Sequence, residues 1–176
     1  MLRNGLGMPV VEATVDVALP AALAFAVSQT AGDIRLRWDP FIRRQRFLDG
    51  ALRPDKGVRT LTIHRLGFRM VSEYVSFRPP SNVGMRMTEG SWFFERLAGG
   101  WRFDERVGEM GEVSTHAIWR YNFTCRPKLI APVAERIGAI VLGRDIRKRI
   151  DGFARGCADP VVLAAAQASI DERASG

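Results

Sequence analysis

From Val10 to Val17 the chain alternates, with Val11, Ala13, Val15 and Val17 set against Glu12, Thr14 and Asp16, which is the period of a half-buried strand. Pro20 then stands where a helix accepts proline, ahead of the apolar run Ala21 to Val27, so the strand leads into a short helix. A second short helix is predicted over Ala31 to Trp38. Asp39-Pro40 stops it, because the residue before a proline disfavours the helical region. Six further strands are predicted: Phe41 to Leu48, Gly57 to Arg65, Arg69 to Phe77, Val83 to Thr88, Gly100 to Val107 and Glu112 to Cys125. Asp49-Gly50, Pro54-Asp55-Lys56-Gly57, Leu66-Gly67, Pro79-Pro80-Ser81-Asn82 and Gly99-Gly100 separate them, the punctuation of an antiparallel meander. The aromatic piece Trp92 to Leu97 is expected to be an irregular flap.

After Pro127 the period becomes helical, and Ile130, Val133, Ile137, Val141, Leu142, Ile146, Ile150 and Phe153 make one apolar stripe. Arg144, Arg147, Lys148 and Arg149 fall in the last turns, where the helix dipole favours cations. The helix is predicted to end near Gly156. Asp159-Pro160 then reads as an N-cap with proline at the first helical position, opening a short tail helix to about Glu172. The organisation is therefore one domain over residues 10–156 and a C-terminal tail over 157–176. A curved antiparallel sheet of seven strands covered by one long helix is covered only in part, and the space left is where small apolar ligands bind.

Composition adds exclusions. At 176 residues and 47% hydrophobic content the chain suits one domain with a sizeable core. Met1 to Pro9 does not read as a signal peptide, and Leu129 to Leu142 is broken by Glu135 and Arg136, short of the roughly 20 residues of a membrane span. The expected location is the cytoplasm, without membrane insertion. Cys125 and Cys157 form no CxxC pair and only His64 and His116 accompany them, so neither metal nor cofactor is expected and the thiols read as unrelated. The net charge of +7 is almost wholly arginine. Arg35, Arg37, Arg43, Arg44 and Arg46, with Arg144 to Arg149, offer a basic surface for RNA or an anionic membrane, but without the interleaved exposed aromatics of a nucleic-acid platform. Nucleic acid is therefore not the expected partner.

Several local pieces, in order, resemble one superfamily: Trp38-Asp39-Pro40, Phe47-Leu48-Asp49-Gly50, Gly57, Pro79-Pro80, Gly100-Trp101-Arg102-Phe103 and Trp119-Arg120-Tyr121-Asn122-Phe123. Over nearly all of Val10 to Phe153 the chain resembles the polyketide cyclase/dehydrase and lipid-transport branch of the START/Bet v 1-like (SRPBCC) proteins. The resemblance implies an α+β, helix-grip fold, with two short helices after the first strand and an internal hydrophobic cavity. Lipid carriers, quinone-binding proteins and aromatase/cyclases all share that fold, so it speaks for architecture before reaction.

By alternation Val113, Thr115, Ala117, Trp119, Tyr121 and Phe123 share one face, and Trp101, Phe103, Glu105 and Val107 another, both turned toward the long helix. The predicted ligand wall is Met85, Met87, Trp101, Phe103, Trp119, Tyr121, Phe123, Ile137 and Val141, set against the reading that these merely fill a core. Carboxylates on apolar faces carry more information, because burying one unpaired costs several kcal/mol. Glu73 falls in line with Val71, Val75 and Phe77, Glu89 follows Met85 and Met87, and Glu105 follows Phe103. Tyr121, Glu73 and Glu105 are the catalytic candidates, with Arg59 or Arg65 as partner; the alternative puts each carboxylate at a strand end in water. Tyr74 ranks below Tyr121 because its face is more polar. His64 and His116 are assigned to outer faces. No nucleophile elbow, phosphate loop, dinucleotide fingerprint or HExxH occurs. The leading function is binding of a small hydrophobic molecule (lipid, quinone or polyketide-like aromatic) without catalysis; an aromatase/cyclase or dehydratase is the alternative.

Overall fold

The structure is a computed structural model that describes residues 2–3, 8–90, 92–126 and 131–175. Its strands are β1 (Leu2–Arg3), β2 (Pro9–Val17), β3 (Ile42–Phe47), β4 (Arg59–His64), β5 (Arg69–Arg78), β6 (Asn82–Glu89), β7 (Phe94–Val107) and β8 (Val113–Cys125). The helices are α1 (Ala21–Ser28), α2 (Gly32–Trp38), α3 (Ala131–Gly156) and α4 (Pro160–Ala174). All pairings are antiparallel, in the order β1-β2-β8-β7-β6-β5-β4-β3. The seven predicted strands form one curled sheet, and the two-residue β1 adds an edge beside β2. This is the helix-grip arrangement: a sheet wrapped on a long C-terminal helix, with two short helices after the first long strand.

One predicted element is different in kind. Phe94 to Leu97 is not a flap but the first part of β7, pairing Phe94 with Cys125 and Leu97 with Phe123 across an irregularity near Arg96. The aromatic pattern there serves packing, since the Phe94 ring meets Phe123 edge-on at 5.9 Å. Of the predicted helical stripe, Ile130 lies outside the described residues, as does the break at Pro127.

The core sits between α3 and the β2–β8–β7 part of the sheet. Trp101, Phe103, Ala117, Trp119 and Phe123 face Leu142, Ile146, Ile150 and Phe153, all buried. Rings interlock there, with Trp101 4.6 Å from Phe153 and 4.9 Å from Trp119. Aromatic pairs of this kind contribute about 0.5–1.5 kcal/mol each beyond their buried area. In the N-terminal half of α3, Ala134 is buried and Gly138 lies against the Phe123 ring, whereas Val133, Ile137, Ile140 and Val141 are each more than half exposed.

Two glycines bring α3 against the α2–β3 corner. At Gly152 a Cβ would collide with the Trp38 carbonyl, and at Gly156 it would lie 2.8 Å from Trp38 Cγ. The absent side chains form a notch for Trp38, and that docking sets Asp39 beside the third-last turn of α3. Asp159 caps α4, accepting from the Val161 amide at 2.8 Å, and α4 packs on α1. Both cysteines are free and buried, and burial pushes the Cys157 thiol up to about 12.

Candidate functional site

Where α2 ends, Asp39 leaves the helix with its side chain turned inward and fully buried. Its Oδ1 accepts from the Phe41 amide at 3.0 Å. Its Oδ2 accepts from Arg35 Nε at 2.9 Å and from Arg149 Nη2 at 2.8 Å. Arg35 also donates to the Ser28 carbonyl. Arg149, reached from α3, donates through Nη1 to Tyr121 Oη at 3.1 Å and lies 4.4 Å over the Trp119 ring. Both arginines are under 7% exposed. Arginine stays protonated even here, so two guanidiniums and one carboxylate, 2 − 1, leave a single net positive charge inside the protein.

The local electrostatics follow from that arrangement. Burial by itself would raise the Asp39 carboxyl, but Arg149 and then Arg35 hold it below the usual aspartate value. Burial lowers Arg35, only partly offset by Asp39. For Arg149 burial acts downward as well, yet Asp39 and Tyr121 more than offset it and it ends above the ordinary value. Burial raises the Tyr74 and Tyr121 hydroxyls, so both are neutral donors at physiological pH.

In front of this triad lies a cavity of about 50 Å³. Tyr74, Tyr121, Ser72, Thr62, Gln45, Gln29, Arg35 and Arg149 give it polar walls, and Met85, Met87, Trp101 and Trp119 apolar ones. It adjoins an open groove of about 360 Å³ between β4–β7 and α3. The groove is apolar, with Leu66, Phe68, Trp92, Ile137 and Val141 along it, and the two spaces share Phe41, Thr62, Met70, Met87 and Leu97. His64 sits in the groove wall against the Phe41 ring, 3.8 Å from Asp145, and burial lowers its pKa despite that neighbour.

The predicted site residues divide accordingly. Met85, Met87, Trp101, Trp119 and Tyr121 line the inner cavity, while Ile137 and Val141 line the groove. Phe103 and Phe123 line neither: Phe103 packs on Trp101, Phe25 and Phe153, and Phe123 is closed in by Gly138 and Phe94.

Glu73 and Glu105 require correction as cavity groups. Glu73 is on the outer face of β5, ion-paired with Arg86 at 3.0 Å. Glu105 lies where β7 runs past the core, and accepts from the Ala21 amide at 2.7 Å, serving the open N-terminus of α1. Glu89 is exposed at the end of β6. Arg59 pairs with Asp49 at the surface, so the interior arginines are Arg35 and Arg149 instead.

The inner faces of β4 and β5 are the reverse of the prediction. Thr60, Thr62 and His64 face inward from β4, and Met70, Ser72 and Tyr74 from β5, before an irregularity between Tyr74 and Ser76 returns Phe77 to the inside. His116 does lie outside, 2.7 Å from Asp16. The missed residues carried one signal each. Arg149 is an arginine inside the spacing Leu142, Ile146, Ile150, Phe153, and Arg35 and Asp39 are an i, i+4 pair straddling the end of a helix.

A family model described as polyketide cyclase/dehydrase and lipid transport matches residues 8–157. The chain belongs to that family. As a member of that family it shares its fold with solved structures of low sequence identity. The Zhui aromatase/cyclase from Streptomyces sp. R1128 is 19% identical, with a TM-score of 0.66 over 88% of this chain and 96% of that one. A START superfamily protein from Mycobacterium smegmatis is 14% identical, with a TM-score of 0.61 over 83% and 97%. The di-domain ARO/CYC BexL of the BE-7585A biosynthetic pathway is 18% identical, with a TM-score of 0.63 over 86% of this chain and 50% of that one. No curated protein matches the sequence. No described helix of this family member is long and apolar enough to cross a membrane.

Proposed function

We propose that the protein binds a small, mainly apolar molecule between its sheet and α3, with the body of the ligand in the groove and one end in the inner cavity. The observation that carries this is the shared wall of the two spaces: Phe41, Thr62, Met70, Met87 and Leu97 border both, so one molecule spans them. Methionines at such a junction adapt to different ligand shapes at little cost. Exposed Leu66, Phe68, Trp92, Ile137 and Val141 are covered when the groove is filled, and apolar burial contributes about 25 cal/mol per Å². Native mass spectrometry with organic extraction of freshly purified protein tests the reading. A co-purified lipid, quinone or aromatic near one per chain is the expected result; a clean apo mass together with no binding of added apolar ligands would overturn it.

A second reading, aromatase/cyclase or dehydratase activity, is favoured by Tyr121. Its hydroxyl is held by a buried guanidinium at 3.1 Å on the cavity wall, a placement suited to polarising a ligand carbonyl. The fold likeness to the Zhui aromatase/cyclase supports this class without assigning a substrate. Cyclisation of a poly-β-keto substrate that falls at least about a hundredfold in Tyr121→Phe would support it; wild-type turnover in that variant would remove Tyr121 from the chemistry.

A further inference from the structure

The inner cavity is a donor-rich pocket with too few acceptors. Tyr121 Oη accepts from Arg149, so its own proton points elsewhere, and it has no protein acceptor among the described residues. The Trp119 indole N–H lies beside the same hydroxyl and favours its ionised form, yet makes no hydrogen bond of proper geometry. Trp101 Nε1 is likewise buried and unpartnered, and both indoles border the cavity. The Tyr74 hydroxyl, on a residue that also lines the cavity, bonds to no described residue. Thr62 Oγ1 accepts from Gln45, leaving its proton available as well. Apart from hydroxyls, which can accept as well as donate, the unpartnered side-chain acceptor among the described residues at this cavity is Gln29 Oε1, where the cavity wall meets a depression between α1 and α4.

Charge points the same way. Among the described residues no Asp or Glu lines the cavity, and Asp39 is occupied by Arg35, Arg149 and the Phe41 amide. The triad therefore presents an uncompensated positive charge to a cavity walled by buried side chains, where donors left without acceptors are costly. In most native interiors each such donor has a partner, so several around one small cavity mark the place of a group the protein itself does not supply.

We propose that the ligand carries a carboxylate, and that this carboxylate seats in the inner cavity against Arg149, Tyr121 and the Trp119 and Trp101 indoles, with its apolar chain lying out along the groove. This rests on the ligand-binding reading above and names the class of ligand. A monoanion balances the single net charge of the triad, and a planar two-oxygen head offers about four acceptor positions to the donors of the residues that border the cavity. The cavity of about 50 Å³ has room for a head of that size. The methylene chain requires no polar partner, which suits a groove walled by Leu66, Phe68, Trp92, Ile137 and Val141.

Isothermal titration of the intact protein with dodecanoate and with dodecanol, each below its aggregation threshold, separates the two layers of the argument. Dodecanoate is expected to bind at least about tenfold more tightly, since a charge-assisted pair is stronger than the neutral hydrogen bonds available to the alcohol. The preference should persist at about 0.5 M salt, because a buried pair escapes the screening that removes attraction to the cationic surface. Trp119→Phe keeps the ring and deletes the N–H, and should narrow the gap between the probes by about threefold or more; Trp101→Phe serves if the first variant does not fold. Equal affinities, or a preference that vanishes with salt, overturn the carboxylate. Binding of neither probe overturns the ligand-binding reading, and the carboxylate with it.

Discussion

The two halves of the curled sheet treat their inner faces in opposite ways. Across β7 and β8 the inward side chains are Trp101, Phe103, Ala117, Trp119 and Phe123, and the buried hydroxyl of Thr115 is satisfied by the Leu19 carbonyl at 2.6 Å. Across β3 to β5 they include, beside Met70 and Phe77, the polar Gln45, Thr60, Thr62, His64, Ser72 and Tyr74, and buried Arg35 and Arg149 stand beside them. The first half follows the rule that folding buries apolar area. The second half sets hydroxyls and guanidiniums where leucines would have been more stable, and the ordinary reason for such an exchange is a ligand.

The sharpest way to break this comparison is to unbalance the triad. Asp39→Ala leaves two guanidiniums facing each other without their carboxylate, and a loss of about 3–5 kcal/mol in urea unfolding is expected. Replacing the whole set, with Arg35→Met, Asp39→Leu and Arg149→Met together, should recover stability relative to the single change, since apolar groups of similar volume commonly match a buried ion network. A triple variant no more stable than Asp39→Ala would make the polar half structural after all. Acid reports on the same carboxylate. Because the native Asp39 pKa lies below its unfolded value of about 3.9, its contribution is present above that value. It is lost as pH falls through the depressed native value. Unfolding free energy should therefore fall less between pH 5 and about pH 3 in Asp39→Asn than in the unaltered protein.

Legibility in the sequence follows the same division. Period-two alternation placed Ala117, Trp119, Tyr121 and Phe123 on the inner face of β8, and the α3 stripe from Leu142 to Phe153 packs where its spacing says. Those elements bury apolar groups, and the assignment of faces assumes that burial is apolar. On β4 the alternation is as clear, but its polar members Thr60 and Thr62 are the buried ones, so the same rule turns the strand over. On β5 the irregularity between Tyr74 and Ser76 lets Val71 and Phe77 stand at odd positions without sharing a face, which made Glu73 look internal. Arg149 and Asp39 could be read as a cation near a helix end and a residue before proline. Only the notch at Gly152 and Gly156, which docks Trp38 on α3, brings them together.

A smaller test moves the boundary between the halves by one hydroxyl. Ala117→Thr inserts a hydroxyl into the apolar half, where it meets no acceptor, and should cost about 1–3 kcal/mol. Thr62→Val removes one from the polar half. There the loss is confined to the 3.2 Å bond from Gln45, so about 1 kcal/mol or less is expected. Similar costs for the two, read from urea midpoints at constant slope, would erase the distinction drawn between the faces.

The smallest expected effect is the most diagnostic. Ser72 is 4% exposed and borders the cavity, yet its hydroxyl bonds to no described residue. If that hydroxyl served the fold, deleting it would strand a partner; it has none, so Ser72→Ala should shift stability by under about 0.5 kcal/mol. Its place beside Tyr74 and Thr62 is then explained by what enters the cavity, and the same variant should weaken ligand binding measurably in titration. Stability unchanged with binding reduced fits a wall built for a ligand, whereas a loss of more than about 1 kcal/mol with binding intact would return β5 to the ordinary rules of core packing.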